Sequence, residues 1–183
     1  KVAKAAPDGY TLLLYHIGMA TSPALYRTMP YKTLEDFEYL GLINEVPMTL
    51  VGRSTLPANN YAELRKWIDE NKGKVDIMCD QTTNTSSQIE SGKIKAFAVS
   101  STKRLTTPAL AKLPTLDESG LKGFNVTIWH GLYAPKGTPK AVLDKVNGAL
   151  KAALKDADFI KKQEALGALV VTDMGVAFLP QER

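Results

Sequence analysis

Val126-Thr-Ile-Trp-His-Gly-Leu-Tyr-Ala-Pro-Lys-Gly-Thr-Pro139 is the stretch whose reading decides the fold. Its first half, Val126 to Tyr133, is rich in β-branched and aromatic residues and reads as a strand. Ala134 to Pro139 is a turn that launches a helix, with Thr138 at the N-cap and Pro139 at the first helical position, where a missing N–H costs nothing. Beyond it, Val142, Val146, Ala149, Leu150, Ala153 and Leu154 share one helical face, while Lys140, Asp144, Lys151 and Lys155 point away. A strand, a turn and an amphipathic helix in that order are the repeating unit of a layered α/β architecture.

The same alternation extends outward. Pro7-Asp8-Gly9 is a turn tripeptide before the apolar run Tyr10 to Tyr15, read as a buried strand. His16 to Pro23 mixes Gly, hydroxyl residues and Pro, and reads as a loop at that strand's carboxyl end, entering a short helix near Ala24 to Arg27. A second strand is expected at Pro47 to Gly52. Asn60 with Glu63 three residues on forms a capping-box pattern, the stripe Leu64, Trp67, Ile68 follows, and Gly73 ends that helix. Val75 to Cys79 reads as a strand, and the eight polar residues Asp80 to Ser87 read as a loop. Ile94 to Ser100 reads as a strand and Leu105 to Gly123 as an irregular connection. Asp156 or Asp158 caps a last helix to Leu166, Gly167 closes it, and Ala168 to Thr172 returns as a strand.

The chain has 183 residues, 44% hydrophobic and 23% charged, with 13 Gly and 10 Pro, a balance that sustains a globular core. Its longest apolar runs fall far short of the roughly 20 residues needed to cross a bilayer, so no direct membrane insertion is expected. The net charge of +4 is spread along the chain, so nucleic acid is not expected as a partner. Cys79 with only His16 and His130 offers no metal-ligand spacing, so no metal is expected and Cys79 reads as a routine buried thiol. No Gly-x-Ser-x-Gly elbow, phosphate loop or dinucleotide fingerprint occurs, so neither catalysis nor a cofactor is expected. Lys1 to Asp8 lacks the apolar core of a signal peptide, so for an exported protein the leader is absent from this chain.

Several stretches together resemble one family. Ala3-Lys-Ala-Ala-Pro-Asp-Gly-Tyr-Thr-Leu-Leu13, Leu25-Tyr26 with Pro30-Tyr31, Asp36-Phe37, Ser91 to Ser100, Leu113 to Gly120 and Trp129 to Pro139 occur in the order seen in the Bug family of periplasmic solute-binding proteins. These are the TctC-type receptors of tripartite tricarboxylate transporters. The resemblance implies a two-lobed, periplasmic-binding-protein-like (type II) α/β clamshell, with lobe 1 formed by 1–46 and 134–183 and lobe 2 by 47–133. It implies capture, without chemistry, of a small carboxylate such as a dicarboxylate, an amino acid or an aromatic acid. It implies a periplasmic location and delivery to membrane permease subunits. Relative to the family the chain reads as truncated: the first strand, a middle stretch between Lys74 and Val75, and the final helix are not found. A remnant or partner-binding module of the same fold is therefore the alternative, and an α/β enzyme a more distant one.

A carboxylate needs donors aimed at it, and backbone N–H groups at helix starts or Gly turns supply them without Arg. His16, Ile17, Gly18, Met19, Thr21 and Ser22 meet that description, with Gly18 permitting close approach and Thr21 and Ser22 adding hydroxyls. Asp80, Gln81 and Thr82 are the second candidate group, Asp80 suiting an ammonium or a water rather than a carboxylate. Trp129, His130 and Gly131 sit where the resemblance places a crossing between lobes, and are expected to shape the hinge or the cleft wall.

Overall fold

The structure is a computed structural model that describes residues 1–73 and 76–172. Its order is a short 3-10 turn at Val2–Lys4, then β1 (Leu13–His16), α1 (Gly18–Leu25), β2 (Phe37–Arg53), α2 (Tyr61–Glu70), β3 (Ile77–Gln81) and α3 (Thr82–Glu90). After these come β4 (Ile94–Val99), β5 (Thr127–Pro135), α4 (Lys140–Ala153), α5 (Ala157–Ala165) and β6 (Leu169–Val170). Strands and helices are mixed as expected. The chain forms two compact units: one of Lys1–Glu45, Trp129–Ile160 and residues 170–172, the other of Val46–Ile128 and Lys161–Leu169. Compared with the lobes read from the sequence, Trp129–Tyr133 lies in the first unit, and Val46 and Lys161–Leu169 in the second. The expected lobe 1 tail from residue 173 onward, and the expected start of a strand at Val75, lie outside the described residues.

In the first unit β1 pairs antiparallel with β5, putting Leu13 opposite Tyr133, Tyr15 opposite Gly131 and His16 opposite His130. Met19, Phe37 and Tyr133 are buried at its centre, with Leu13, Tyr15, Tyr31, Tyr39 and Trp129 packed around them. β1 is shorter than expected because Asp8 accepts from the Tyr10 amide and leaves the Tyr10 ring in solvent. α1 corrects the reading of a loop through His16 to Ser22. Pro23 and the small polar residues speak against a helix, but Gly18, Met19 and Ser22 fall on one buried face, and burying Met19 overrides weak propensity. α4 forms where expected, although its N-cap is Pro139; the Thr138 hydroxyl donates back to the Pro135 carbonyl instead.

In the second unit β2 pairs antiparallel with β3 on one side and β4 on the other. α2 closes one core over Leu56, Ala58, Leu64 and Phe97, and the Asn60 side-chain Oδ1 accepts from the Glu63 amide as its spacing predicted. Ser100 fastens the end of β4, accepting from the Met48 amide and donating to the Val126 carbonyl. α3 is the largest correction, since the polar run expected to be a loop is a helix with Thr82 and Thr85 fully buried. Its hydroxyls satisfy themselves: Thr85 donates to the Gln81 carbonyl at 3.1 Å, Ser86 to Thr82 at 2.6 Å, and Thr82 to Gly167 at 2.9 Å. A polar helix is buried without penalty when each polar atom finds a partner. Cys79 is also corrected, being exposed on β3 rather than buried.

The Thr85 and Thr49 hydroxyls lie 2.8 Å apart in this core. Thr85→Val keeps the volume and strands the Gln81 carbonyl, so a loss of about 1 kcal/mol is expected in urea unfolding. An unchanged midpoint would mean the hydroxyl pair contributes nothing.

Candidate functional site

The first group of expected site residues is assembled at the junction of β1 and α1. The His16 ring folds over the helix start, where its Nδ1 accepts the Gly18 amide at 2.9 Å. Gly18 is required for that pose: a Cβ there would stand 2.7 Å from His16 Cε1 and 3.2 Å from the Tyr15 ring. Neutral His16 with Nδ1 accepting carries its proton on Nε2, which is left as an outward donor on an exposed side chain. Ile17 is the N-cap and its side chain gives no cap. The carbonyl of Ile17 accepts from the Ala20 and Thr21 amides. A helix start thus stands beside an imidazole N–H, which is a setting for an anion. Thr21 is exposed with its hydroxyl 3.4 Å from the Ile17 carbonyl, and Ser22 is buried beneath the helix.

His130 joins this group through strand register. Directly opposite residues of an antiparallel pair project to the same face, and His16 and His130 are such a pair. Their ring centroids are 6.3 Å apart in an edge-on arrangement. His130 Nδ1 lies 2.8 Å from Asn44 Oδ1, and because that oxygen only accepts, Nδ1 carries a proton. Partial burial and the nearby His16 push the His130 pKa below the usual histidine value. Trp129 packs on the Met19–Phe37–Tyr133 cluster, and Gly131 is buried where a Cβ would meet the Tyr133 hydroxyl at 2.6 Å. Both are packing residues of the first unit. Asn44 went unread in the sequence, although a lone amide in the apolar run Leu42-Ile-Asn-Glu-Val46 signals a buried polar contact.

Asp80, Gln81 and Thr82 fall in the second unit, where they start α3. Asp80 accepts from the Gln81 amide at 2.8 Å and from the Asn84 side chain at 3.3 Å. The Thr82 hydroxyl is spent on Gly167 in the interior, which removes it as a ligand donor. A surface hollow of about 440 Å³ beside α2, lined by residues including Tyr61, Arg65, Lys66 and Glu70, contains none of the expected site residues. Among the described residues no cluster of three or more His, Cys, Asp or Glu could hold a metal ion, and no helix is long and apolar enough to cross a membrane.

Residues 1–76 and 67–173 match the model of the tripartite tricarboxylate transporter family receptor, TctC. The chain belongs to this receptor family. A protein from Agrobacterium vitis, known by its place in the TAR-I ttuE-ttuC' intergenic region, is 39% identical over 93% of this chain. The chain spans 62% of that relative's length. The alignment runs over 216 positions, more than the 183 residues of the chain, so the relative carries residues inside the matched span that this receptor chain lacks. Among solved structures, the periplasmic binding protein BugD is 42% identical with a TM-score of 0.83, over 93% of this chain and 72% of its own. MatC from Rhodopseudomonas palustris, solved with bound malate, is 30% identical with a TM-score of 0.78, over 92% of this chain and 73% of its own. The family is one of receptors, BugD is a periplasmic binding protein, and the mixed α/β fold of the chain is shared with it.

Proposed function

We propose that this chain captures a small carboxylate in the periplasm, without altering it, for the permease subunits of a tripartite tricarboxylate-type transporter. The observation that carries the reading is the His16 ring turned onto the Gly18 amide at the start of α1, with its Nε2–H outward and His130 paired opposite it. A helix start and an imidazole N–H together select an anion without a fixed counter-charge. MatC's malate makes a dicarboxylate the first solute to test. Ile17, Gly18 and Met19 supply the backbone of the site, with Thr21 at its edge.

A thermal-shift screen against dicarboxylates, amino acids and aromatic acids tests this, with MatC and malate as the responding control. A ligand at a hundredfold excess over its Kd stabilises the native state by about 2.7 kcal/mol. The expected result is a clear rise in Tm for dicarboxylates. Silence across every class, with MatC responding, would contradict the receptor reading. It would favour instead a partner-binding remnant, a second reading supported by the residues that the longer relative carries within the matched span.

A further inference from the structure

Two imidazoles meet at this site with complementary vacancies. His16 uses Nδ1 as an acceptor for the Gly18 amide, so its Nε2 already donates. His130 uses Nδ1 as a donor to Asn44, so its neutral ring offers a lone pair at Nε2, and that nitrogen becomes a donor only on gaining a proton. Hydrogen bonds of about 2.8 Å from two imidazole nitrogens to the two oxygens of one carboxylate fit rings whose centroids are 6.3 Å apart. A carboxylate facing neutral His130 would instead set lone pair against lone pair.

We propose that His16 and His130 form a proton-dependent clamp that holds one carboxylate group of the solute between them, so that capture takes up one proton at Nε2 of His130. The inference rests on the carboxylate reading above and adds the linkage to pH. In the balance, a solution proton adds to the His130 lone pair, the imidazolium and the carboxylate pair their charges, and no covalent bond of the solute changes. The surroundings leave few other groups to take that proton. Besides His16, β1 offers Tyr15, whose ring packs on His16. α1 carries no titratable side chain, and neither does β6. β2 offers Asn44 toward the ring, with Glu45 on the alternate face by strand alternation. On β5 itself, Tyr133 also lies on the alternate face. Burial and the proximity of His16 lower the His130 pKa in the free chain, which keeps the acceptor form ready at neutral pH.

Calorimetric titration of the chain with malate from pH 5.5 to 8, in buffers of different ionisation enthalpy, counts the protons. The expected result is uptake of about one proton at pH 7.5, with affinity falling about tenfold per pH unit there. His130→Gln is expected to remove both the uptake and the pH slope, and His16→Gln to weaken binding while keeping the uptake. Imidazole ¹H–¹⁵N spectra of the complex are expected to show His130 protonated on both nitrogens, a signature that does not depend on any variant folding. Malate binding with no proton uptake and a flat pH profile would overturn the clamp and leave the carboxylate reading standing. Failure of every carboxylate to bind at any of these pH values would overturn both.

Discussion

Replacing Phe97 with alanine is expected to lower the unfolding free energy by about 3–5 kcal/mol, the cost typical of a buried aromatic truncated to a methyl group. Phe97 is 2% exposed and packs with Leu56, Ala58 and Leu64. Trp67 and Ile68 of α2, Leu50 of β2 and Ile77 of β3 close around this core. Removing the ring forfeits its transfer energy and opens a cavity that these neighbours fill only in part. Gly52 passes close beneath, since a Cβ there would touch Phe97 Cε2 at 3.3 Å, so backbone as well as side chains bounds the void. Native stabilities of about 5–15 kcal/mol leave little margin for a loss of this size. Urea unfolding followed by tryptophan fluorescence reads it through Trp67. A loss below about 1 kcal/mol would show that α2 is not held by this core.

The second large effect is on binding. Gly18→Ala is expected to weaken malate binding tenfold or more while leaving Tm unchanged or slightly raised. The helix gains from alanine at an N-terminal position, because glycine is the poorer helix former by about 1 kcal/mol. The added Cβ, however, would stand 2.7 Å from His16 Cε1 and 3.1 Å from Nδ1, so the imidazole must swing off the Gly18 amide. Nε2 then leaves the helix start, and the two imidazoles no longer face one carboxylate. A tenfold loss corresponds to about 1.4 kcal/mol, within the range of one misplaced hydrogen bond to a charged group. Opposite signs in affinity and stability distinguish a positioning effect from simple unfolding. Affinity within twofold of the parent, with Tm held, would show that the His16 pose is irrelevant to binding.

Those two residues also show which parts of the molecule were legible in the sequence. α2 and α4 could be read because apolar stripes and end signals agreed, Asn60 with Glu63 in one case and the Pro139 start in the other. α1 and α3 could not. Pro23 and the run of hydroxyls from Thr82 to Ser87 carry loop signals locally, and only tertiary partners turn them into helices: the Met19 cluster for α1, and Gly167 and Thr49 for α3. The segment from His16 to Met19 stood out through its Gly and its place after a strand. Its mate did not, because the His16–His130 pairing depends on strand register across more than a hundred residues, and the Asn44–His130 bond joins groups 86 positions apart. Thr82 looked like a free donor for the complementary reason, its acceptor being a carbonyl 85 residues away.

The central claim is that the start of α1, with the His16 N–H beside it, grips the carboxylate. An amide ¹H–¹⁵N correlation titration with malate tests it most directly, since every backbone N–H reports on its own surroundings. The account predicts the largest shifts at Ile17, Gly18 and Met19, saturating together with the imidazole signals of His16 and His130. Saturable shifts centred elsewhere, with the amides of residues 17–19 unmoved, would contradict it.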